Sequence, residues 1–456
     1  MDNIGAGLLI VFLLVVYILN RLFTNNKYSP VRLFSIWWLC VIVMSLYPVW
    51  GRNVASSEIY LTILLAAVFF MIGCGFANTF KQNNHQQRVC AQDKEISLGD
   101  TYINKRIVLA VNVIAFLLTI MLFVRSFKIY GIKMFLDLGY ARSAIYNGDT
   151  IITSTLEEYL HSYLLRSTLF LDVVILPFLY IAGKKYKKLF IFSLVNILLY
   201  TFVYGGRMFV FYAGAILYFG MKIVGTLNER YGRRDKIDFV IRLKRGNKRN
   251  RRLMILIVVF VVIIISLTFS RNNSSQSNGF VYFIEKSATY FSTSPVYYES
   301  LQDITTVGEQ SGFQFTFIGG LSSFFSHFNK FVGFELFKDS VGNVSQRMTS
   351  SLVNVGGSVW TNAFPTMVYT FRYDFGLIGV AFNSFLFGFL AQYAYIRLRS
   401  CKSTRTFLIY MVAIYFILES PMRWDGLHFW PYFVFLMIYV STRSGRKRQL
   451  TKSVLR

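Results

Sequence analysis

The sequence predicts an all-α polytopic integral membrane protein, and three observations carry that prediction. Of its 456 residues, 54% are hydrophobic and only 15% are charged, whereas a soluble domain carries about 25% charged residues. The apolar residues gather in runs near the length of about 20 residues that spans a bilayer. The formal charge of +26 sits mostly in short turns between those runs, where it sets orientation in the membrane and is not a nucleic-acid footprint. Aromatic residues, at 18%, suit lipid-facing helices and interfacial belts. Membrane lipid is thus an expected partner and nucleic acid is not.

Eleven spans are expected across one polytopic domain, 1–456. The first three are Gly5–Phe23, Val31–Trp50 and Glu58–Phe80. After a polar loop, Arg106–Phe123 is the fourth, and a moderately polar stretch, 125–166, follows as the first external loop. Ser167–Ala182, Leu189–Tyr204 and Phe209–Val224 come next, then a basic cytoplasmic loop, 225–252, and the Val/Ile-rich run Leu253–Leu267. The long segment 270–365 is the second external loop, and its apolar piece Phe313–Phe337 reads as a re-entrant or interfacial helix. Phe375–Ile396, Phe407–Leu418 and Phe429–Val440 complete the set.

Basic turns decide sidedness, because cytoplasmic loops are enriched in Lys and Arg. Arg230, Arg233, Arg234 and Lys236 open the run in the 225–252 loop; Lys184 to Lys188, Arg397 to Arg405 and Arg443 to Arg456 mark three more basic turns. Eleven spans put all four on one side, the cytoplasm, with the N-terminus outside and the C-terminus inside. Cys40 and Cys74 fall in apolar runs, and Cys90 and Cys401 in cytoplasmic loops, so no disulfide framework is expected. The first run lacks the flanks of a cleaved signal peptide and reads as a retained helix.

No Walker loop, GxSxG elbow or metal-spaced His/Cys cluster is present, so no metal or cofactor is expected. Arginine on the outer side stands out instead: Arg142, Arg207, Arg271, Arg347, Arg372 and Arg423. Guanidinium forks bind phosphate bidentately, and a lipid diphosphate sits at the headgroup level where such side chains lie; the plain alternative is snorkelling or a carboxylate partner. Arg207 follows Gly205-Gly206 at a membrane boundary, and Arg271 opens the long segment. Tyr290, Tyr297 and their neighbours suit stacking on sugar rings as well as interfacial anchoring. His327 is the candidate general base, and Asp172 is the lone deep acid among the spans.

Leu138-Gly139-Tyr140-Ala141-Arg142-Ser143, Gly205-Gly206-Arg207-Met208, Ser270-Arg271 and Tyr373-Asp374-Phe375-Gly376-Leu377-Ile378-Gly379, in that order and with this span pattern, resemble the bacterial oligosaccharide repeat-unit polymerases, the Wzy-type O-antigen and capsule polymerases. The paired arginine-and-glycine loop motif described for some members is not found. The resemblance implies a metal-independent glycosyltransferase with a GT-C-like fold in the bacterial cytoplasmic membrane. Such an enzyme joins undecaprenyl-diphosphate-linked glycans on the outer face, with a chain-length regulator and a flippase as pathway partners. With that function the expected catalytic residues are Arg271, Arg207 and His327, and the expected substrate-binding residues are Arg142, Arg347, Arg372, Tyr290 and Tyr297. An O-antigen ligase, or a transporter or flippase of the same lipid-linked oligosaccharide, is the competing reading. A flippase needs polar paths on both sides, and here the polar residues lie mainly on one.

Overall fold

The computed structural model describes residues 4–24, 27–47, 51–79, 103–131, 151–204, 208–229, 292–304, 314–332, 353–357, 360–361, 365–401 and 403–454. In chain order the helices are α1 (Ile4–Phe23), α2 (Pro30–Ser45), α3 (Ser57–Thr79), α4 (Lys105–Tyr130), α5 (Thr155–Ala182), α6 (Lys187–Tyr204) and α7 (Met208–Glu229). After these come α8 (Ser294–Ile304), α9 (Gln314–Val332), α10 (Thr366–Tyr373), α11 (Gly376–Cys401), α12 (Thr404–Glu419) and α13 (Trp430–Val454). Among the described residues Val353–Asn354 also pairs antiparallel with Trp360–Thr361. Among the described residues seven helices, α1, α3, α4, α5, α6, α7 and α11, are long and apolar enough to cross a membrane. Pro30–Ser45 and Trp430–Thr442 are shorter apolar helices. The chain is a helical membrane protein. The expected span Leu253–Leu267 lies outside the described residues.

The chain divides into two compact units. The first comprises Met1–Val89, Phe280–Ser400 and Val412–Pro431. In it α1 packs on both α2 and α3. Aromatic rings join α2, α3 and α11: Phe34 of α2 stacks on Phe70 of α3 at 4.0 Å, and Phe70 stands edge-on to Phe387 of α11 at 5.1 Å. The backbones touch where Gly73 and Gly388 remove side chains: a Cβ on either would lie 2.0 Å from a carbonyl oxygen of the opposite helix, Phe385 or Phe70. Small residues allow such close approach between membrane helices. Arg52, 1% exposed, then closes the C-terminal end of α2. Its guanidinium donates to the carbonyls of Ser45 at 2.9 Å and Tyr47 at 2.8 Å, and to that of Ser292. Helix C-terminal carbonyls have no partners inside the helix, and one guanidinium fork here supplies several.

The second unit comprises Cys90–Gly279, Cys401–Met411 and Tyr432–Arg456. Helix α5 is its central element, packed against α6 and α7 and more deeply buried than α4. It begins at Thr155, ahead of the expected Ser167. Ser154 caps it by accepting from the Glu157 amide at 3.3 Å, and Glu157 and Glu158 lie in the first turn, where the helix dipole favours acids. The π-helical stretch Leu160–Leu165 breaks the 3.6-residue period that a sequence reader follows. Helix α4 likewise runs on to Tyr130, past the expected Phe123. Its Arg125 is paired with Glu157 at 2.6 Å, so the charge does not end the helix. Asp172, within α5, accepts from Ser193 Oγ at 2.7 Å and Asn196 Nδ2 at 3.3 Å on α6. Cys401 is disulfide-bonded, against the expectation of a chain without disulfides; Cys40 and Cys74 are free.

Candidate functional site

The candidate site belongs to the first unit and starts where α12 stops. Glu419-Ser420-Pro421 ends that helix, because proline offers no amide hydrogen and disfavours helical geometry in the residue before it. The following turn folds back on itself through charge. Arg423 Nε donates to Glu419 Oε1 at 2.7 Å and lies 2.8 Å from Asp425 Oδ1, and Nη2 reaches Asp425 Oδ2 at 3.3 Å. Tyr415 Oη and Trp430 Nε1 also donate to Asp425 Oδ2, at 2.9 and 3.1 Å. His428 Nε2 stands 3.7 Å from Asp425 Oδ1. Glu419 and Asp425 are buried, and the Arg423 side chain is 23% exposed.

The two carboxyls are pushed apart electrostatically. Burial, and then the neighbouring Asp425 charge, hold the Glu419 carboxyl well above the ordinary glutamate value. Burial acts on Asp425 in the same direction, but the charges of Arg423 and His428 together with the hydrogen bonds it accepts outweigh it and hold Asp425 below its ordinary value. Arg423 thus bridges two carboxyls, of which Asp425 favours the charged form and Glu419 the neutral one. Arg423, read from sequence as one of the outer cations, spends its charge inside this pair.

A second piece is tied to the same turn. The backbone amides of Thr366 and Met367 donate to the carbonyls of Met422 and Ser420, at 2.7 and 2.9 Å. Helix α10 starts there; its first residue, Thr366, is left-handed at φ +68°, and so is Phe375, two residues past its end, at φ +60°. Such a conformation costs a β-branched or bulky residue about 1–3 kcal/mol and is concentrated at functional sites. Arg372 rides on this helix. Its Nη1 donates to Tyr298 Oη at 3.3 Å, and its Nη2 lies 3.9 Å from the exposed carboxylate of Glu58. That longer pairing neutralises Arg372 much less than the buried node neutralises Arg423.

The patch from Tyr373 to Gly379 has a physical role in this frame. Asp374, fully buried, accepts from the Thr316 amide at 3.0 Å and from Asn383 Nδ2 at 3.1 Å. It thereby caps α9 from a different element. Gly376 has φ +64°, and a Cβ on Gly379 would lie 1.3 Å from the Asp374 carbonyl oxygen, so the turn admits only glycine there. Trp424 Nε1 donates to the Thr316 carbonyl at 2.8 Å, joining α9 to the charged turn.

Of the residues singled out in the sequence, Arg372 sits in this frame. Tyr297 is fully buried in α8. His327 lies on α9; its side chain, and Arg142, Arg207, Arg271, Arg347 and Tyr290, lie outside the described residues. Sequence reasoning missed Glu419, Asp425 and Arg52. The signal for the first two was present: an acid, an arginine four residues on and a second acid two further, directly after an apolar run. Among the described residues no group of three or more His, Cys, Asp or Glu side chains could hold a metal ion. No family model matches the chain, nor does any curated protein or solved structure.

Proposed function

We propose that the protein is a polymerase that joins undecaprenyl-diphosphate-linked oligosaccharide repeat units into O-antigen or capsular polysaccharide at the outer face of the bacterial cytoplasmic membrane. The observation that carries this reading is Arg372, a weakly neutralised guanidinium on a short helix with a strained residue at its start and another two residues past its end, within a helical membrane protein. A cation held in this way suits the charge that develops on a departing lipid diphosphate. The leaving group is already a good one, so positioning and electrostatic stabilisation account for the chemistry. Arg271, Arg207, Arg142 and Arg347 complete the cationic set in this reading. It also includes about eleven spans in a GT-C-like arrangement, an outer N-terminus and a cytoplasmic C-terminus.

The test is surface polysaccharide, displayed by gel, in cells whose only copy carries Arg372→Ala at normal protein level. Single repeat units attached to carrier lipid, with long chains reduced at least about 100-fold, are the expected outcome, since one oriented donor is worth about that much in rate. Unchanged chain lengths would remove Arg372 from the site. Long chains that build up without reaching their final acceptor would make the protein a ligase.

A further inference from the structure

His428 is held more tightly than a surface histidine at a loop end. Helix α9 presses on its backbone, since a Cβ on Gly320 would lie 2.1 Å from the His428 carbonyl oxygen. The next residue, Phe429, stacks on Phe324 of α9 at 4.3 Å. The His428 amide donates to the Asp425 carbonyl at 3.0 Å, and the imidazole Nε2 faces the Asp425 carboxylate at 3.7 Å. That carboxylate is itself fixed by Tyr415, Trp430 and Arg423. The imidazole remains 31% exposed while Asp425 is fully buried. A buried, immobilised carboxylate behind a part-exposed imidazole is the arrangement of an oriented general base.

We propose that His428 is the catalytic base for the acceptor hydroxyl of the carrier-linked glycan, and that Asp425 is its positioning residue. The inference rests on the polymerase reading above and moves the base from His327 to His428. With Nε2 turned toward Asp425 at 3.7 Å, Nδ1 is the ring nitrogen assigned to the acceptor in this proposal. The acceptor oxygen attacks the anomeric carbon of the donor and its proton passes to Nδ1. The new C–O bond forms as the anomeric C–O bond to the diphosphate breaks, and the electron pair leaves on the diphosphate oxygen. The imidazolium, stabilised by Asp425, then returns its proton to water.

The test uses the full chain reconstituted in vesicles of phosphatidylethanolamine and phosphatidylglycerol with undecaprenyl-diphosphate-linked repeat unit extracted from polymerase-deficient cells. Wild type should form polymer. His428→Ala should lower turnover by about 100-fold or more, the usual contribution of a positioned base, while retaining the carrier-linked unit as wild type does. Added imidazole should restore part of the lost turnover, and His428→Gln should keep the wild-type melting temperature. Full turnover in His428→Ala overturns the dyad and leaves the polymerase reading standing. Loss without imidazole rescue, accompanied by a lowered melting temperature, assigns His428 a packing role and overturns the proposal. If wild type itself makes no polymer from this substrate, the polymerase reading fails first, and the dyad fails with it.

Discussion

Glu419 and Asp425 touch the same guanidinium and answer to it differently. Asp425 is held below its ordinary value of 3.8, so its contribution to stability is complete above that value and is lost as pH falls through the depressed one. Glu419 is held above its ordinary value of 4.5, so its contribution is complete below 4.5 and is lost as pH rises through the raised one. Two substitutions separate them in thermal unfolding of the detergent-solubilised protein. Asp425→Asn should cost about 3–5 kcal/mol at pH 7, because it leaves Arg423 without its charged partner. Glu419→Gln should cost less than Asp425→Asn, and its stability relative to wild type should improve as pH rises, because the raised Glu419 carboxyl loses its contribution in that direction. Equal losses in both variants would mean that the two carboxyls share the charge. The sequence carries the presence of these groups openly. Their pairing was hidden because it depends on how the chain turns at Pro421, and local spacing does not determine that.

Among the elements, the join between α3 and α11 has a sharp internal control. Gly73 and Gly75 are two positions apart on α3. A Cβ on Gly73 would lie 2.0 Å from the Phe385 carbonyl oxygen, whereas one on Gly75 would meet nothing within 4 Å. Gly73→Ala should therefore force the helices apart and lower the melting temperature. Gly75→Ala should be neutral or stabilising by up to about 1 kcal/mol, the gain alanine brings to a helix interior. Equal effects at the two sites would remove the close approach. The starts of α1 and α3 were legible to within a residue, because a long apolar run announces itself. The start of α5 was not, since its first turns carry Glu157 and Glu158 and a π-helical stretch disrupts the period. Arg372 was singled out in the sequence, and the structure places it on α10. The left-handed residues at the start of that helix and just past its end were not legible, because Thr366 and Phe375 are not residue types that announce such a conformation.

For the whole molecule, two signals disagree about one loop. The basic turn from Arg397 to Arg405 assigns it to the cytoplasm, yet Cys401 at its centre is disulfide-bonded, a state that persists in oxidising compartments. In the proposed topology all four basic turns share one side, and the bond is the exception to it. In intact cells a membrane-impermeant maleimide should leave Cys401 unlabelled after external reduction and should label it once the membrane is opened. Labelling before permeabilisation would reverse the orientation of every span.

Helix α5 bears on a different property. Its 28 residues make about 42 Å at 1.5 Å per residue, against a hydrocarbon thickness of about 30 Å. A helix this long must lean or protrude, and its Glu157 end, clasped to Arg125 at 2.6 Å, is the polar part suited to the headgroup zone. Helix α6, with 18 residues, has no such excess. Neighbouring helices of unequal reach cannot both match one bilayer thickness, so the lean of α5 is set by its packing against α6 and α7.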